Sequence, residues 1–93
     1  MTVKRTDREM VARLLDRAIL LVAISEDIPT AVTSQLEPSL NALAEALALP
    51  DKEQDGQAIE EMFYSAYDLA DEIQDIQALL GAVRNFVPFL RSS

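Results

Sequence analysis

The chain has 93 residues, a net charge of −8, no cysteine and no histidine. That size gives one domain with a thin core, and the composition removes disulfides, thiol chemistry, the commonest general base and the commonest metal ligand. Hydrophobic residues make up 49% with no Trp, and two glycines with four prolines leave little turn chemistry for a sheet, so the fold class is all-α.

Residues 1 to 5 read as a frayed start. Thr6 and Glu9 have the capping-box spacing, which predicts helix 1 over about 6–25. Val11, Leu14, Ala18 and Leu21 form its inner stripe. From Ala18 to Ile24 the helix is apolar almost all round, which predicts cover on more than one side. The run is too short for a membrane span and has the wrong flanks for a secretory signal; a cytoplasmic protein is expected.

Pro29 breaks the pattern, and helix 2 is predicted over about 30–49. Val32, Leu36, Leu40, Leu43 and Leu47 keep one phase across Pro38. Pro38 has no N–H to give Ser34, so a helix kinked there but continuous is expected. Residues 50–56 form a polar loop, led by Pro50 and ended by Gly56.

Helix 3 is predicted over about 57–86, with an apolar tail at 87–93. Ile59, Met62, Ala66, Leu69, Ile73, Ile76, Leu80, Val83, Val87 and Leu90 recur with gaps of three and four, the spacing of a heptad seam. The predicted architecture is a three-helix antiparallel bundle, up-down-up, with a long third helix. Thirty helical residues span about 45 Å, whereas a globule of this size is about 30 to 35 Å across. Helix 3 should therefore overhang, carrying Leu80, Val83, Phe86, Val87, Phe89 and Leu90 as an apolar pole level with Leu20, Leu21 and Ile24. Either the tail folds back after Pro88, or a second identical chain covers the pole; the homodimer is the expectation adopted.

The charge is unevenly spread. Glu26 to Val83 holds thirteen acids and one base, Lys52, while Arg5, Arg8, Arg13 and Arg17 make helix 1 basic. An acidic body repels nucleic-acid phosphate and suits solubility or a basic protein partner. Asp68, Asp71, Glu72 and Asp75 fall on one flank of the predicted helix 3. Such carboxylates can hold a hard cation, but a solvated face, or pairing with Arg13 and Arg17, is the simpler expectation. Phe63 and Tyr67 should stack in the core, leaving Tyr64 exposed as an aromatic anchor.

The run Tyr67-Asp68-Leu69-Ala70-Asp71-Glu72 resembles the second carboxylate motif of the all-α nucleoside-triphosphate pyrophosphohydrolases. That resemblance implies Mg²⁺ held by acids from two helices. The family's first acidic cluster has no counterpart here: helix 2 offers only Glu37 and Glu45, too far apart, so no catalytic residue is carried over. Nothing in the residues supports nucleophilic catalysis, and the only glycines, Gly56 and Gly81, form no phosphate loop.

The expected function is a non-enzymatic protein-binding module: an inhibitor, immunity or antiactivator protein, or chaperone-like regulator. It would act through Tyr64, the acids Asp68, Asp71, Glu72 and Asp75, and the apolar pole. No cofactor is called for, and neither nucleic acid nor membrane is an expected partner. The alternatives are a metal-dependent phosphohydrolase and a structural dimer subunit of a larger assembly.

Overall fold

The computed structural model describes residues 5–87 and Leu90. The described residues are all helical and loop, with no strand. There are four α-helices rather than three: α1 (Arg5–Ile24), α2 (Thr30–Ala48), α3 (Gly56–Leu69) and α4 (Gln74–Phe86). A short 3-10 turn, Asp51–Glu53, lies between α2 and α3.

Helix α1 is already helical at Arg5, so Thr6 lies inside the helix rather than at its cap. Its buried stripe is Val11, Leu15, Ala18 and Val22. Leu14 and Leu21 are only half-buried. The other faces of its last turns are bare: Leu20, Ala23 and Ile24 are exposed, contrary to the all-round cover expected of an all-round apolar run.

Pro29 sits at the cap of α2 with φ −56° and ψ 139°. Its carbonyl accepts from the N–H groups of Val32 at 2.9 Å and Thr33 at 3.1 Å, which starts the helix. Helix α2 runs through Pro38 without interruption and buries Leu36, Leu40, Leu43 and Leu47. Near the turn that Pro38 loosens, the Ser39 hydroxyl donates to the Gln35 carbonyl at 2.9 Å, and the Asn41 amide donates to the Glu37 carbonyl at 3.0 Å. At the far end, the Gln54 side chain donates to the carbonyls of Leu47 and Leu49, which the end of the helix leaves without partners.

Asp55 caps α3: its carboxylate accepts from the N–H groups of Gln57 and Ala58. The long third helix does not exist. α3 ends at Leu69, residues 70–73 form a turn, and α4 starts at Gln74. The turn closes with an Ile73 N–H to Ala70 carbonyl bond of 2.9 Å, and the Ile73 carbonyl then accepts from Gln77 to begin α4.

The buried stripes explain the break. α3 buries Ile59, Phe63 and Ala66, with Ala70 next in phase, whereas α4 buries Ile76, Leu80 and Val83. Continued as one helix, the α3 stripe would run onto Gln74, Gln77 and Gly81, which offer nothing to a core. A turn lets both apolar stripes face inward. It also takes Asp71 and Glu72 off a shared helical flank and sets Asp75 in the first turn of α4, where the helix dipole favours an acid.

Helix α1 packs against α2 and α4, and α2 packs against α3, while the consecutive α3 and α4 pack little against each other. The longest dimension is 38 Å, shorter than the roughly 45 Å a continuous helix over 57–86 would need. The expected overhang is therefore absent. Leu80, Val83, Val87 and Leu90 are fully buried core residues, and Phe86 is half-buried against the same core. Phe89 lies outside the described residues.

Candidate functional site

The acids singled out in the sequence stay at the surface, but on a different scaffold. Asp68 is in the last turn of α3, Asp71 and Glu72 are in the turn, and Asp75 is in the first turn of α4; all four are exposed. Across from them runs the α1–α2 link, with Glu26 and Asp27, also exposed. The two connections enclose an open groove of about 1100 Å³.

The groove has an apolar floor under an acidic rim. Leu21 and Ile24 of α1, Ile28 of the link, Val32 of α2, and Leu69 and Ile73 of the α3–α4 connection line it. Six carboxylates stand around that floor, and no Lys or Arg is among the lining residues. Two helix C-termini (α1 and α3) and two N-termini (α2 and α4) meet at this end. Each terminus carries about half a charge, so the four nearly cancel and the side chains set the sign of the field. A concave, apolar floor focuses that field more than a flat surface with the same charges would.

The expected pairing of Arg13 and Arg17 with these acids is not formed among the described residues. α1 packs on α2 and α4, not on α3, and both arginines lie on its exposed side. Nor, among the described residues, is there any group of three or more acids arranged to hold a metal ion. The carboxylates are spread around a rim, not gathered to a point.

Tyr64 is half-buried rather than a free anchor. Its hydroxyl donates to the Leu90 carbonyl at 3.3 Å, and the Arg84 guanidinium lies 6.0 Å from its ring centre. Its ring also meets Phe63 edge-on at 5.0 Å, while Phe63 and Tyr67 stack at 5.9 Å. Tyr64 thus ties α4 and the chain beyond it to α3.

The sequence pointed to one side of the groove and missed the other. Glu26, Asp27 and Ile28 fall in the break before Pro29, and Leu69 falls on the heptad seam. The available signal was an acidic pair next to Ile28 and Pro29, in a connection too short to bury an isoleucine deeply. None of the described helices is long and apolar enough to cross a membrane. No known family model matches this chain, and no curated protein or solved structure matches it.

Proposed function

We propose that this chain is a protein-binding module whose acid-rimmed groove receives a basic, amphipathic segment of a partner protein. One observation carries the proposal: an apolar floor framed by six carboxylates with no base among them. A segment with aliphatic side chains at i, i+3 and i+4 would bury them on Leu21, Ile28, Leu69 and Ile73, and its Lys or Arg residues would meet the rim. A nucleic-acid backbone would meet the same carboxylates and be repelled. In this reading the chain is a small cytoplasmic regulator, an inhibitor, an antiactivator or a chaperone-like protein, that acts without catalysis. Leu80, Val83, Val87 and Leu90, being core, play no part in the proposal.

The test is a titration with model helices of Leu and Lys, beside acidic and sequence-scrambled versions. The basic amphipathic helix should bind, and binding should weaken as salt rises, because exposed charges are screened over about 8 Å at physiological ionic strength. Asp71→Lys with Glu72→Lys should weaken it further without changing the fold. Equal binding of acidic and basic helices, or binding indifferent to the reversal, would remove the groove from consideration.

A further inference from the structure

We infer that the outward face of α1 is a contact surface between two copies of this chain. The inference does not rest on the peptide-binding proposal. Arg13, Arg17, Leu20 and Ile24 recur with gaps of four, three and four, and all four are exposed. At 100° per residue they fall within an arc of about 60°, directly opposite the buried stripe. Leu20 is 56% and Ile24 63% exposed, the barest large hydrophobic side chains among the described residues. The face is thus basic along its first half and apolar along its second. It ends where Glu26 and Asp27 begin.

That order is self-complementary. An antiparallel pair of α1 helices related by a two-fold axis can set Leu20 of each copy against Ile24 of the other. In the same register, Arg17 of each copy comes within reach of Glu26 and Asp27 of the other. The apolar pair is covered, and each basic group meets an acidic one, twice by symmetry. An anionic lipid surface is the rival occupant for a basic, apolar helix face. It is disfavoured because Glu26, Asp27 and the rim acids next to them would be pressed against like charge. The pairing uses one wall of the groove and leaves Asp68, Asp71, Glu72 and Asp75 outside the contact.

Sedimentation equilibrium of the full chain from micromolar to millimolar concentration tests this. The mass should rise with concentration from 10.3 kDa toward twice that value. Leu20→Asp and Ile24→Asp should each hold it at the monomer mass, with urea unfolding unchanged at concentrations where the native chain is itself monomeric, because both side chains lie off the core. Arg17→Glu alone, and Asp27→Arg alone, should each raise the dissociation constant by about tenfold, since every reversal is felt at two symmetric pairs. Combined, the two reversals should restore dimerisation. A monomer throughout the range, a dimer indifferent to Leu20→Asp, failure of the double reversal to restore association, or a monomer that instead binds anionic vesicles would each overturn the inference.

Discussion

The Tyr64 hydroxyl donates to the Leu90 carbonyl, joining the middle of α3 to the chain beyond α4 across 26 positions of sequence. The bond holds Leu90, whose side chain is fully buried, against α3. Tyr64→Phe keeps the ring packing on Phe63 and removes only the hydroxyl. It should cost about 0.5 to 1.5 kcal/mol, read from the urea midpoint at constant slope. Leu90→Ala should cost more, about 2 to 5 kcal/mol, because its side chain is fully buried.

Val83 is completely enclosed. Val83→Asp should therefore abolish the fold, since an unpaired buried charge costs several kcal/mol against a total stability of about 5 to 15. Far-UV circular dichroism would show the loss of helix directly. A folded variant would mean that the α4 stripe is solvent-facing after all.

Gly81 lies mid-helix, and a Cβ built there meets nothing within 4 Å. Neither a close helix crossing nor a frayed end explains it. Gly81→Ala should stabilise the protein by about 0.5 to 1 kcal/mol, through helix propensity and a less disordered unfolded chain. A thermal melt moving upward checks this.

The carboxylates of the α3–α4 turn have no ion-pair partner among the described residues. Their mutual repulsion is then relieved by neutralisation. Asp71→Asn with Glu72→Gln should raise stability by about 0.2 to 0.5 kcal/mol per like-charge pair removed, and the gain should shrink as salt is added. A loss of stability would reveal a hydrogen-bonding role for these groups.

Much of the core was legible from spacing alone. Leu36, Leu40, Leu43 and Leu47 on α2 are buried as their spacing predicts, whereas Leu80, Val83, Val87 and Leu90 keep the spacing of the seam but lie in the core and not on an overhanging pole. The turn at 70–73 was not legible, for two reasons. No Gly or Pro marks it, since a tightened last turn and Ile73 at φ −113° and ψ 84° suffice to redirect the chain. In addition, Leu69 and Ile73 bridge the seam across the break with apolar residues that serve another surface, the groove floor. Phe63 and Ala70, one position beyond Met62 and Leu69, carried the true phase of α3. Gln74, Gln77 and Gly81 were the cue that this phase could not continue. The site was half legible: acids at helical spacing were visible, but their partners across the groove became neighbours only because the chain bends.

The most direct test is a methyl NMR titration of the protein with the basic Leu and Lys helix. The methyl resonances of Leu21, Ile28, Val32, Leu69 and Ile73 should shift together and saturate, while those of Leu40, Leu43 and Val83 stay in place. Shifts confined to other surfaces, or none at peptide concentrations well above those of the protein, would contradict it.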